Sequence, residues 1–146
     1  SGVLVIRSDI ASALQMGADI AYMGTRFINV KESQAEQNYK DMIMRSGAED
    51  IVYTAAVSGV NASFLRPSLE AMGITEEQWK DTKKIDFGNT SDLAESEAKA
   101  WKTIWSAGQG VSAITDSPKV TDLVLQLKSE FIEAVESQKK LLDLYS

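Results

Sequence analysis

Apolar positions fall along this chain in two ways, as short unbroken runs and as longer stripes with helical spacing. Val3 to Ile6 is a continuous branched run, the signature of a buried strand. Ser8 then stands where a helix cap would, and Ile10, Ala13 and Leu14 share one face of a helix running from Asp9 to about Met16. Gly17 supplies its left-handed stop. Ile20 to Met23 follows as a second short apolar run, closed by Gly24 and Thr25. Helix, turn, buried strand and glycine is the grammar of a parallel α/β unit.

Beyond that point the period becomes helical. Ser33 and Glu36 have capping-box spacing ahead of a stripe of Ala35, Tyr39, Met42 and Ile43, which Gly47 ends. Ile51 to Val57 reads as a strand and Ser58 to Ser63 as a polar loop. Pro67 suits the first turn of a short helix stopping before Gly73, and Thr75 with Gln78 opens another through Trp79. Asp86 to Ser91 reads as a loop. Ala94, Ala98, Trp101 and Trp105 mark a helix from Asp92, and Gly108 and Gly110 break it before a short extended segment, Val111 to Ile114. Ser117 and Pro118 then predict the start of a last helix, striped by Val120, Leu123, Val124, Leu127, Phe131 and Val135. A fully buried Phe131 there would be worth about 3–5 kcal/mol against alanine.

Composition narrows the chemistry. With 146 residues, 44% apolar and 25% charged, the chain is globular rather than disordered. A net charge of −6 repels phosphate backbones and argues against a nucleic-acid partner. No apolar run is long enough to cross a bilayer and no signal-peptide pattern opens the sequence, so the cytoplasm is the expected compartment. Cysteine and histidine are both absent, which removes disulfides, thiolate chemistry, the commonest general base and the commonest metal ligand. No Asp-rich loop has calcium spacing and no carboxylate pair argues for acid–base work, so no metal and no catalytic residue is assigned.

The informative stretch is Asp9 to Phe27. A parallel strand ending in Gly24-Thr25 would leave backbone N–H groups free at its carboxyl end, where a phosphate can approach a residue without a side chain. The Thr25 hydroxyl would add a donor. In (β/α)8 barrels phosphates commonly sit at the loops after strands seven and eight. By spacing alone, a plain strand end with a glycine turn is the better reading of one Gly-Thr dipeptide.

The wording of the whole stretch adds more. Ala-Leu, then Met16-Gly17-Ala18-Asp19, then Met23-Gly24-Thr25-Arg26-Phe27 closely resembles a segment of the nitronate monooxygenase (2-nitropropane dioxygenase) family of FMN-dependent TIM-barrel enzymes. FMN-dependent enoyl-acyl-carrier-protein reductases carry a similar version. The resemblance continues through Lys31-Glu32-Ser33, Tyr39-Lys40, Ser58-Gly59, Leu65-Arg66 and Trp105 with Ala107-Gly108-Gln109-Gly110. It is looser between Gly73 and Ser91.

The resemblance implies the C-terminal portion of a (β/α)8 barrel, an α/β fold represented by its last strand and last helix with a mainly helical inserted domain. A full barrel needs about 250 residues. Residues 1–32 would form the end of the barrel with the FMN-phosphate loop, 33–115 the inserted lid or substrate domain, and 116–146 the final barrel helix. It also implies FMN as cofactor, held at Gly24, Thr25 and Met23, with Gly2 at the first of the family's paired glycines and Gly108 and Gln109 bordering the flavin. Val3 falls at the second paired glycine, and Arg7 and Ser8 replace the usual glycine and arginine before the helix. The family's histidine base comes from upstream of this chain. The expected activity is oxidation of alkyl nitronates with oxygen. The alternatives are an FMN-dependent enoyl-thioester reductase and a non-catalytic helical fragment. The expected partners are a small-molecule substrate, the remaining barrel segment from the same or another polypeptide, and a second copy in a homo-oligomer. Trp79, Trp101 and Trp105 could line a flavin pocket, but an aromatic helical core explains their spacing better. Arg26 could pair equally with a phosphate or with a local carboxylate or carbonyl.

Overall fold

The structure, a computed structural model, describes residues 9–81, 85 and 102–145. Its elements in order are α1 (Asp9–Gln15), α2 (Thr25–Ile28), α3 (Gln37–Arg45), β1 (Ile51–Thr54), β2 (Ala62–Leu65), α4 (Arg66–Ala71), α5 (Glu76–Lys80) and α6 (Val120–Leu144). Gly2, Val3 to Ile6, Ser8, Trp101, the loop at 86–91 and most of the helix expected from Asp92 lie outside the described residues.

The helix terminators act as their residue types require. Gly17 and Gly73 both take positive φ, 94° and 75°, where a side chain would be strained. At the end of α1 the Ala18 N–H reaches the Ala13 carbonyl at 3.0 Å, closing a Schellman-type turn. Pro67 sits in the first turn of α4. The Thr75 N–H donates to Gln78 Oε1 at 2.8 Å, satisfying a backbone donor at the start of α5.

Other expectations are corrected. Ser33 does not cap α3; its hydroxyl accepts from the Ala35 N–H in a local turn at 3.2 Å, and the helix begins later, at Gln37. The strand expected to reach Val57 ends at Thr54, and Ala62–Leu65, partly read as loop, is its antiparallel partner, with Tyr53 opposite Ser63 and Val52 opposite Phe64. Val111 to Ile114 is not extended. It lies in a 3-10 turn, Gln109–Ala113, capped by Ile114. Three residues per turn put Val111 and Ile114 on one buried face, a spacing that a strand would split. The last helix starts at Val120, two residues after Pro118. Its first N–H is met by Glu32 Oε2 at 3.0 Å rather than by Ser117.

Ile20 to Met23 forms no strand, and Ile20 and Tyr22 are 83% and 78% exposed. A strand needs a ladder partner, and none lies beside this segment among the described residues. Ile20 and Tyr22 instead alternate with the half-buried Ala21 and Met23, as an extended chain with one covered side would.

Three apolar clusters hold the structure. The first joins Ile43, Leu65, Ala107, Val111 and Ile114, with Tyr39 and Trp105 against it. Their rings stack at 5.1 Å. The second joins Val57, Phe64, Leu69, Ile74 and Ile104, with Trp79 against it, so Trp79 and Trp105 are both core-side aromatics. In the third, Leu123 and Leu127 of α6 pack on Val30, with Ile10, Met23 and Phe27 around them. The helix α6 is continuous past Phe131, but Phe131 and Val135 are only half-buried and Val124 is exposed. Phe131→Ala therefore falls below the cost of a fully buried phenylalanine.

The hairpin is anchored by Asp50, just before β1. Its carboxylate accepts from the Gly47 N–H at 2.9 Å and pairs with Arg66 at the start of α4. The hydrogen bond from Arg66, then that from Gly47, hold its carboxyl below the ordinary value of 3.8. A depressed folded value means the stabilisation is fully present above the unfolded pKa and is lost as pH falls through the folded one. Urea midpoints between pH 7 and pH 3 should therefore drop less for Asp50→Asn than for the parent. An identical acid-side slope in the two would show that the pair is not coupled to folding.

Candidate functional site

The site is built from two stretches far apart in sequence. Gly24 precedes α2 with φ −100° and ψ −67°, an ordinary backbone conformation for any residue. A Cβ placed there would meet nothing within 4 Å, so its backbone faces open space. Thr25 is buried, and its Oγ1 accepts a hydrogen bond from the Gly108 N–H at 2.9 Å, across 83 residues. That bond uses an acceptor lone pair and leaves the hydroxyl hydrogen available to donate. Ser106 to Gly108 is tied in turn to the hairpin. The Leu65 N–H donates to the Trp105 carbonyl at 2.8 Å, and Phe64 and Ser106 form a bridge. Between these segments lies a groove of about 500 Å³, bordered by Gly24, Thr25, Ser106 and Gly108 on one side and by Tyr53 and Asn61 of the hairpin on another.

The expected binding residues divide accordingly. Gly24, Thr25 and Gly108 come together at the groove. Met23 turns the other way, into the cluster of Val30 and Leu123, and does not border it. Gln109 is exposed at the start of the 3-10 turn and also stands outside the lining. Tyr22, Tyr53, Asn61 and Ser63 border the groove without having been picked out in the sequence. Tyr22 lies within the Asp9–Phe27 stretch but carries none of its motif, and Tyr53, Asn61 and Ser63 are brought there by the hairpin pairing.

Arg26 resolves in favour of the local partner. It is 5% exposed, and its guanidinium donates to Asp116 Oδ1 at 2.9 Å and to the Asp116 carbonyl at 3.4 Å. The buried Asn29 donates to the same carbonyl at 2.7 Å, and the Lys31 N–H to the Pro118 carbonyl at 2.9 Å. The segment before α6 thus clamps the residues that follow Gly24. Lys40, also buried, bonds the Val30 and Ser33 carbonyls at 2.7 and 2.9 Å and fixes the next turn. Asp116→Ala would keep the carbonyl but leave a buried guanidinium short of its carboxylate. We expect a loss of about 1–3 kcal/mol in urea unfolding, and an unchanged midpoint would show that the exposed carboxylate adds nothing.

Against known proteins, the family model for nitronate monooxygenase matches residues 1–130. The chain belongs to the nitronate monooxygenase family. It is 27% identical to a nitronate monooxygenase of Paraburkholderia phytofirmans, over 96% of this chain and 39% of that protein. It is 27% identical to nitronate monooxygenase npaC of Metarhizium robertsii, over 72% of this chain and 30% of that protein. The chain thus spans two fifths or less of the length of these relatives. Among solved structures it is similar to FabK from Thermotoga maritima, with TM-score 0.71, 26% identity, and coverage of 96% of this chain and 45% of that one. It is also similar to a nitroalkane oxidase from Streptomyces ansochromogenes, with TM-score 0.64, 28% identity, and coverage of 93% and 39%. Among the described residues there is no cluster of carboxylates that could hold a metal, and no helix long and apolar enough to cross a membrane.

Proposed function

We propose that this chain forms the C-terminal part of an FMN-dependent nitronate monooxygenase that oxidises alkyl nitronates with oxygen. The observation that carries the reading is the hydrogen bond from Gly108 to Thr25, which joins the two family landmarks on one groove. The residues present suit a phosphate there. Gly24 offers backbone that no side chain shields, and Thr25 keeps a hydroxyl hydrogen to donate. FMN, when bound, supplies the redox chemistry. This chain's own part is to hold the phosphate end at Gly24 and Thr25 and to wall the groove with Ser106 to Gly108. A division into residues 1–32, 33–115 and 116–146 belongs to the same reading. It is supported by the cluster in which α6 packs on residues from the first segment. The remaining barrel strands come from the same or another polypeptide.

An FMN-dependent enoyl-thioester reductase is the second reading, because the Gly24-Thr25 corner serves it equally. The test is flavin absorbance of the purified protein, then turnover of propionate 3-nitronate against an enoyl thioester with a nicotinamide. A yellow protein that consumes oxygen with the nitronate is the expected result. Turnover of the thioester alone would move the assignment to the second reading. A colourless protein that takes up no added FMN would overturn both in favour of a non-catalytic unit.

A further inference from the structure

The hairpin carries more polar chemistry than its packing needs. Successive side chains of a strand point to opposite faces, and cross-strand partners share a face. The pair Val52 and Phe64 covers the second apolar cluster, and the pair Ile51 and Leu65 covers the first. The pair Tyr53 and Ser63 lies on the same face as Ile51 and Leu65, but it has run past the end of the cluster and borders the groove. One sheet face therefore changes from apolar to polar at the point where it leaves the core and meets Gly24 and Gly108. Asn61, immediately before β2, borders the groove beside them. Tyr53 is 70% exposed, a large aromatic standing out from a sheet face. Among the described residues the side chains of Tyr53, Asn61 and Ser63 have no hydrogen-bond partner, so their donors are available to a ligand.

We propose that Tyr53 and Asn61, with Ser63 behind them, form the substrate-recognition wall of this groove and donate hydrogen bonds to the oxygens of the reacting group. The chemistry they fit is a small organic molecule with accepting oxygen at its reactive end, a nitronate or a thioester carbonyl. Hydroxyl and amide donors bind such oxygens by direction rather than by net charge, so they add affinity for the bound substrate while fixing which way its oxygens face. The inference rests on the flavin reading of the opposite wall, and the two can fail separately.

The experiment uses the flavin-loaded protein with Tyr53→Phe and Asn61→Ala, assayed on whichever of the two substrate types the parent turns over. Losing one neutral hydrogen bond should raise KM about three- to tenfold in each variant, with kcat changed less. Flavin content and thermal midpoint should stay parental, because both residues lie outside the core. Titration with nitroethane, followed by perturbation of the flavin spectrum, should show the same loss of affinity without relying on turnover. Asn61→Ser should recover part of the loss. Parental KM and parental nitroethane affinity in both variants, with flavin bound normally, would overturn the recognition wall and leave the flavin reading standing. A parent protein that binds no flavin would overturn both.

Discussion

Phe64→Ala is expected to cost about 3–5 kcal/mol of folding free energy, the largest loss of any single truncation here. The side chain is 2% exposed and centres the cluster of Val57, Leu69, Ile74 and Ile104, with Val52 opposite it across the hairpin. Alanine would leave a cavity walled by strand and helix, which collapse poorly. Domains of this size have about 5–15 kcal/mol in total, so the change would remove about a fifth or more of it. The damage should also reach the groove. Phe64 bridges Ser106, and its neighbour Leu65 holds the Trp105 carbonyl, so the wall from Ser106 to Gly108 hangs on β2. Urea unfolding with an unchanged slope and a lowered midpoint is the expected pattern. Phe64→Leu should lose much less, because most of the volume remains. A midpoint within a few tenths of a kcal/mol of the parent for Phe64→Ala would show that the second cluster does not organise the fold.

Much of the helical structure was legible because local chemistry fixes it. Gly17, Pro67, Gly73 and the pair Thr75 and Gln78 act through their own backbone or their nearest neighbours, so sequence suffices to place them. The failures share a different cause. β2 begins with Ala62 and Ser63, weak strand formers, and becomes a strand because Ile51–Thr54 offers it a ladder. Ile20 to Met23 has a strand's composition, but composition cannot supply the partner, and without one the segment lies extended with two apolar side chains exposed. Pro118 marked the last helix two residues early because the capping group comes from Glu32, 88 positions away. The site shows the same division. That Gly24, Thr25 and Gly108 are candidates is legible in the wording around them, whereas the placing of Tyr53 and Asn61 beside them and the Asp116 clamp arise only once the chain has folded.

Gly24→Val separates binding from folding more cleanly than any other change at this site. Valine takes φ −100° without strain, and its Cβ would project into space where nothing lies within 4 Å. The fold should therefore lose little, about 1 kcal/mol or less from a poorer residue ahead of a helix. The same open space is what a phosphate needs in order to reach the backbone. A branched side chain there would fill it and break at least one hydrogen bond to a charged group, worth about 1.5–3 kcal/mol. Flavin affinity should fall roughly 10- to 100-fold on that count alone, and further if the phosphate cannot shift aside. Gly24→Ala, with a single methyl group, should lie between parent and valine. Thr25→Val offers a contrast, since it also removes the acceptor of the Gly108 N–H and should lower stability and flavin content together. The measurements are bound flavin per chain, affinity by fluorescence quenching, and thermal midpoint for all three variants. Parental flavin content in Gly24→Val would exclude this corner as the phosphate site, whatever the protein oxidises. A matching collapse of the midpoint would instead show that the glycine is needed by the fold.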